Sequence, residues 1–169
     1  WAQLTPMADA LLFLTLLNSR RAEVLIEPHI QVASIIRQSG IETIPMGYIL
    51  VDGDRQSAVE RVSGCTPIAH QAVADVVSHA VAGQLLGKQL IYIEAGSGAK
   101  TPVSIDIIRA VRQAIDLPLI VGGGVTSEEQ MLAAFSAGAN IVVIGNHFEQ
   151  HPEDLPRFLQ AKHSYVHND

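Results

Sequence analysis

The sequence predicts an α/β fold built on a parallel sheet, and three observations predict it. Short apolar runs without polar alternation recur at Ala10–Leu17, Gly47–Val51, Leu90–Ile93, Leu119–Val121 and Ile141–Ile144, as strands covered on both faces require. Segments of helical periodicity lie between them. The last two runs both end in glycine, at Gly122-Gly123-Gly124 and at Gly145-Asn146. Five strands joined by right-handed crossovers fit either an open doubly wound sheet or the later part of a TIM barrel, whose complete form takes eight. Barrels bind phosphate at the loops after their last two strands, and the glycine turns stand there, which favours the barrel.

Each element has its own warrant. Trp1–Met7 reads as a lead-in loop, and the apolar run Ala10–Leu17 ends at Asn18-Ser19-Arg20. From Ala22 to Gln38 the spacing of Val24, Leu25, Ile30, Val32, Ile35 and Ile36 suits an amphipathic helix, which Pro28 breaks or restarts and Gly40 stops. After the Gly47–Val51 strand, Asp52-Gly53-Asp54 is a turn carrying two carboxylates. It reads first as a simple turn and second as a metal site. Val59–Pro67 has no decisive pattern. Between Gln71 and Leu86, Val73, Val76, Val77, Ala80 and Val81 fall at helical intervals, with Gly87 as the stop.

Beyond the third strand, Leu90–Ile93, a helix is expected over Ser104–Ile115 with Ile108, Val111 and Ile115 inward. Between the last two strands, Thr126 and Glu129 have capping-box spacing, Met131, Leu132 and Phe135 form the inward stripe, and Gly138 suits the C′ position. After Asn146 the chain runs into a short helix over Leu155–Ala161 and a polar tail to Asp169 expected to fray.

Composition narrows the function. With 169 residues, 48% of them hydrophobic, and a mean hydropathy of +0.25, one domain over residues 1–169 is expected. A net charge of −6 without basic runs argues against nucleic acid as a partner. Cys65 is the only cysteine, which excludes an internal disulfide and suits a reducing compartment. The longest apolar run, Ala8–Leu17, is too short to span a bilayer, so a cytoplasmic protein is expected.

The chemistry concentrates after the third strand. Tyr92 and Glu94 alternate at its end and share a face, expected to be the barrel mouth. A carboxylate directly after an apolar strand and before a glycine loop has few structural uses. Glu94 can accept hydrogen bonds from hydroxyls or take a proton, Tyr92 can donate, and the amides of Gly96, Ser97 and Gly98 can meet an oxyanion. The bare N–H groups of Gly123-Gly124 and Gly145-Asn146 are suited to phosphate. Lys100 reads as a solvated loop cation.

The stretches YIEAGSGA, IVGGGV and IGN, with the earlier ADALLFLTLLNSR and IPMGYILVDG, together resemble the geranylgeranylglyceryl phosphate synthase family. These are prenyltransferases related to heptaprenylglyceryl phosphate synthase, and YIEAGSG is closer to their archaeal-type branch. The resemblance implies a modified TIM (β/α)8 barrel, of which this chain supplies about the last five strands. It implies that Tyr92, Ile93, Glu94, Ala95, Gly96, Ser97, Gly98, Gly123, Gly124, Gly145 and Asn146 bind sn-glycerol 1-phosphate. It further implies that Glu94 is catalytic, that a prenyl group moves from its diphosphate to the C3 hydroxyl, and that Mg2+ assists.

Within that resemblance the metal-ligating aspartates lie upstream of Trp1, so no metal ligand is assigned. Leu14, Leu16, Tyr48 and Leu50 are candidate linings for a prenyl groove. A homo-oligomer is expected, with no membrane span and at most transient membrane contact. Two rival readings share the glycine turns: another phosphate-binding barrel isomerase or lyase, and a non-catalytic phosphate-binding module.

Overall fold

The structure, a computed structural model, describes Thr5 and residues 7–166. Its elements are β1 (Ala10–Leu16), α1 (Ala22–Leu25), α2 (Glu27–Ser39), β2 (Glu42–Leu50), α3 (Ala58–Ser63), α4 (Val73–Leu85) and β3 (Leu90–Glu94). They continue with α5 (Ile105–Ala114), β4 (Leu119–Gly122), α6 (Glu128–Ser136), β5 (Ile141–Val143), α7 (Asn146–Gln150) and α8 (Leu155–Val166). The strands form one five-stranded sheet in the order β1-β2-β3-β4-β5, with every adjacent pair parallel. Each strand therefore joins beside its predecessor, as successive βα units with one crossover hand do.

Register assigns the two faces. Leu16, Tyr48, Tyr92, Ile120 and Ile141 stand side by side across the sheet, and one layer further on come Leu50, Glu94, Gly122 and Val143. This inner face buries Leu16, Met46, Tyr48, Leu50, Leu90 and Ile120 in one cluster with Cys65 and, from α3, Val59. The alternating residues Ile49, Ile91, Ile93, Leu119 and Val121 face the other way, into a larger core with Val76 and Ala80 of α4, Ile107, Ile108 and Val111 of α5 and Ala134 of α6. The continuous apolar runs of β2, β3 and β4 follow from this double coverage, whereas β1 and β5, expected to be covered likewise, leave Leu12, Leu14, Ile141 and Val143 exposed.

Several boundaries differ from expectation for local reasons. β2 starts at Glu42, five residues before Gly47, and contains Pro45. The Pro45 carbonyl accepts from Gln89 N–H at 2.8 Å, so its missing N–H faces the β3 side, ahead of the point where β3 pairs. Pro28 does divide the second segment into α1 and α2, and Gly40 stops α2 with φ 68°. The undecided stretch holds α3, started by a reciprocal capping box between Ser57 and Glu60. The α6 cap is Ser127, which accepts from Gln130 N–H at 3.3 Å; Thr126 instead donates its N–H to Gln130 Oε1 at 2.8 Å. α7 stands where a loop is expected, and α8 runs to Val166 rather than Ala161. The rest of the expected tail, and most of the lead-in at Trp1–Met7, lie outside the described residues.

Candidate functional site

Three loops leave the C-terminal ends of β3, β4 and β5 and meet above the inner face, where a pocket of about 310 Å³ opens. Tyr48 of β2 and Tyr92 and Glu94 of β3 form one wall. The others are Gly96–Ala99, Gly123–Thr126, Gly145–His147, and Ser57–Val59 at the start of α3. Of the residues singled out from sequence, Tyr92, Glu94, Gly96, Ser97, Gly98, Gly123, Gly124, Gly145 and Asn146 all line this one pocket. Ile93 and Ala95 do not. Strand alternation turns their side chains into the outer core, where each is about 1% exposed or less.

Glu94 sits in the wall, 8% exposed. The Tyr92 hydroxyl donates to its Oε2, and the Gly96 N–H donates to its Oε1 at 2.8 Å. Burial pushes the carboxyl pKa up, the two hydrogen bonds pull it down, and burial wins. The result is a carboxylate held in one orientation and more basic than an exposed glutamate. The Tyr92 phenol is raised by burial and then by the adjacent negative charge; Tyr48, with its ring centre 5.1 Å away at an edge-on angle, is raised by the same two causes. Both phenols thus stay protonated and available as donors.

The glycine turn after β4 is shaped by that carboxylate. Gly123 has φ 85°, and a Cβ there would stand 2.6 Å from Glu94 Oε1 and 2.8 Å from Gly96 N. Only glycine permits both the positive φ and the approach. Across the pocket, Ser97 Oγ donates to Asn146 Oδ1 at 2.6 Å and ties the β3 loop to the start of α7. Lys100 is not drawn in: it is exposed, and it lies outside the pocket lining.

The groove residues divide. Tyr48 lines the pocket. Leu16 and Leu50 are instead packed in the inner core, at 4% and 0% exposure, because Cys65 and Val59 close over that part of the sheet; Leu14 lies near the edge, 37% exposed. Among the polar lining residues, sequence reasoning missed three. Ser57 announced itself through the Ser-x-x-Glu spacing, whereas Thr126 and His147 gave no signal. The His147 imidazole is pinned by Asp154 Oδ2 at 2.9 Å and lies against Phe148 and Phe158.

Asp52-Gly53-Asp54 offers two carboxylates as a candidate metal site. Asp52 Oδ1 accepts the Asp54 N–H at 2.9 Å, which is the turn reading. His70 adds a third donor, so that one ligand atom from each of Asp52, Asp54 and His70 lies within 4.8 Å of the others. Both His70 ring nitrogens are buried without a hydrogen bond, and Nε2 is 3.7 Å from Asp54 Oδ2. Asp54 Oδ2 also accepts from the Thr101 hydroxyl. An imidazole is a poor ligand for Mg2+, which prefers octahedral oxygen. In the pocket lining, the only carboxylate is Glu94, already engaged on both oxygens. The described residues therefore do not fit a Mg2+ site.

A family model described as the PcrB family matches residues 2–162. The chain belongs to the PcrB family. Among its relatives is the geranylgeranylglyceryl phosphate synthase of Spirosoma linguale, 45% identical over 150 residues, which are 89% of this chain and 60% of the relative. An archaeal relative of the same name, from Korarchaeum cryptofilum, is 38% identical over 158 residues, 94% of this chain and 65% of its own length. The crystal structure of (S)-3-O-geranylgeranylglyceryl phosphate synthase from Thermoplasma acidophilum, in complex with sn-glycerol-1-phosphate, superposes with a TM-score of 0.80 at 36% identity. That match covers 85% of this chain and 57% of the other. The chain thus spans about 60% of the length of the PcrB-family relatives it matches. The five parallel strands are an arc of a TIM-barrel-like fold.

Proposed function

We propose that this PcrB-family chain carries the glycerol-phosphate site of a prenyltransferase. The reaction moves a geranylgeranyl or similar prenyl group from its diphosphate to the C3 hydroxyl of sn-glycerol 1-phosphate, the first ether bond of an ether lipid. One observation carries the reading: three glycine turns and the Tyr92–Glu94 pair open into a single pocket. The turns offer amides to the phosphate. The pair offers a donor and a base to the polyol end.

The chemistry then follows from the residues. Amides of Ser97-Gly98, Gly123-Gly124 and Gly145-Asn146 hold the phosphoryl oxygens and fix the glycerol in one orientation, while the Gly96 N–H stays on Glu94. Glu94 accepts from the C3 hydroxyl. As the bond between the prenyl C1 and its diphosphate oxygen breaks, the hydroxyl oxygen forms the new C–O bond, its proton passes to Glu94, and diphosphate leaves with the electron pair. Tyr92 keeps Glu94 aimed during the transfer, and burial makes the carboxylate a better base. Mg2+ is the proposed cofactor of the diphosphate half on the resemblance alone, and no step above runs through it.

The remaining assignments are proposals of the same standing. A prenyl diphosphate is the second substrate, a homo-oligomer the assembly, and the cytoplasm the location. No helix of the described residues is long and apolar enough to cross a membrane. The deciding experiment incubates the protein with labelled prenyl diphosphate, sn-glycerol 1-phosphate and Mg2+. A labelled ether phosphate and free diphosphate are expected. Binding of glycerol phosphate without product would replace the transferase with a non-catalytic module.

A further inference from the structure

A gap in the charge balance of this pocket points to a residue outside its lining, and the argument rests on the glycerol-phosphate reading. A phosphate monoester carries between one and two negative charges near neutral pH. The pocket already contains the buried carboxylate of Glu94, in a chain of net charge −6. Main-chain amides supply partial charges only. Yet among the described residues no lysine or arginine lines the cavity. Lys100, the cation adjacent to the glycine loop in sequence, is held by its backbone N–H on the Gly53 carbonyl at 2.8 Å, and it is absent from the pocket wall.

Arg55 reaches the rim instead. From the loop between β2 and α3, its Nη1 donates to the Gly98 carbonyl at 3.3 Å. A Cβ placed on Gly98 would lie 2.9 Å from Arg55 Nη1 and 3.9 Å from Asn146 Nδ2, so guanidinium and carboxamide flank the same point beside the glycine loop. Asn146 is oriented for donation there, because its Oδ1 is taken by the Ser97 hydroxyl. The loop that carries Arg55 is fixed at both sides, by the Ser57 capping box and by the contact of Asp54 with Thr101. One guanidinium N–H anchors the group to Gly98, and the other donors remain for a ligand.

We propose that Arg55 is the cationic ligand of the substrate phosphate, reaching it beside Gly98 and Asn146 at the rim of the pocket. A planar guanidinium can grip two phosphoryl oxygens at once, which an amide cannot, and it sets the site's preference for a phosphorylated polyol over the free polyol. It also offsets the repulsion that the dianion meets from Glu94.

Two variants and two readouts test this. In steady-state assays with prenyl diphosphate and Mg2+, Arg55→Met raises KM for sn-glycerol 1-phosphate about tenfold, the loss of one charge-assisted contact, with a smaller effect on kcat. Arg55→Lys recovers part of the loss, because it keeps the charge without the fork. The dependence of KM on salt is shallower in Arg55→Met than in the wild type. Independently of turnover, inorganic phosphate at constant ionic strength raises the unfolding midpoint of the wild type more than that of Arg55→Met. Should Arg55→Met fold poorly, Arg55→Lys decides by the same comparison. Unchanged KM and unchanged phosphate protection in the variants of an active wild type overturn the role of Arg55 alone. A wild type neither protected by glycerol phosphate nor able to turn it over overturns the function on which the proposal rests.

Discussion

The centre of the sheet and its flanks solve the same packing problem with different success. In β3 and β4, Ile91, Ile93, Leu119 and Val121 are at most 1% exposed, covered by α4, α5 and α6. At the flanks, Leu12 and Leu14 of β1 are 43% and 37% exposed and Ile141 and Val143 of β5 are 49% and 40%. α2 has no buried residue, although Ile30 and Ile35 lie on it, and its clearest grip on the sheet is the His29 ring against Phe13 and the Leu14 carbonyl. Stability is therefore concentrated where the functional groups are anchored. Glu94 and Gly122 sit at the ends of the two best-packed strands, so the proposed base, Glu94, inherits their rigidity.

That contrast can be broken or sharpened by experiment, beginning with the largest effect. Glu94→Gln at the centre should lower kcat by about 10²–10⁴-fold, the usual worth of a positioned base. The wild-type kcat/KM should rise with pH through a pKa above 4.5, the ordinary glutamate value, and the variant should lose that limb. Stability should move oppositely. A carboxyl whose pKa is raised on folding contributes its full stability only below its unfolded value and loses it as pH rises through the folded one. Glu94→Gln should accordingly unfold at a higher temperature than the wild type at pH 8, with the difference gone at pH 4. A variant with wild-type turnover would remove Glu94 from the chemistry.

Second in size is Ile93→Ala, which should cost about 2–5 kcal/mol in denaturant unfolding, whereas Leu14→Ala should cost about 1 kcal/mol or less. Equal losses would show that the flanks are as well packed as the middle. Next comes Ser57→Ala, which removes the α3 capping box and should cost about 1 kcal/mol. The smallest is Ile30→Gln on α2, expected to stay within about 0.5 kcal/mol by the same measurement. A larger loss would reveal packing on α2 that its exposure conceals.

The same division governs what could be read from the sequence. Coverage on both faces accounts for the uninterrupted apolar runs of β2, β3 and β4; β1 and β5 carry the same kind of run although Leu12, Leu14, Ile141 and Val143 are exposed, and all five were legible, as were the glycine turns that now share one pocket. The start of β2 was not, because Pro45 ordinarily excludes a strand and is tolerated here only through the late start of β3. α3 was legible in principle from Ser57 and Glu60, but six residues give too little periodicity to outweigh the surrounding polar chain. Thr126 and His147 in the pocket wall, and His70 beside Asp54, are brought in by tertiary packing, and no local pattern announces such meetings. Leu50 shows the converse: an apolar residue beside the pocket looks like groove until the covering segment, here Val59 and Cys65, is known.

The order of the strands has a further consequence during synthesis. Since each new strand docks on the edge left by the one before, a chain emerging from the ribosome can extend the sheet without waiting for a distant partner. Among the described strands, the glycine-bearing ends that line the pocket follow β1 and β2 in the chain. A pocket lined by all three turns thus forms only on chains whose β3 and β4 are already in place.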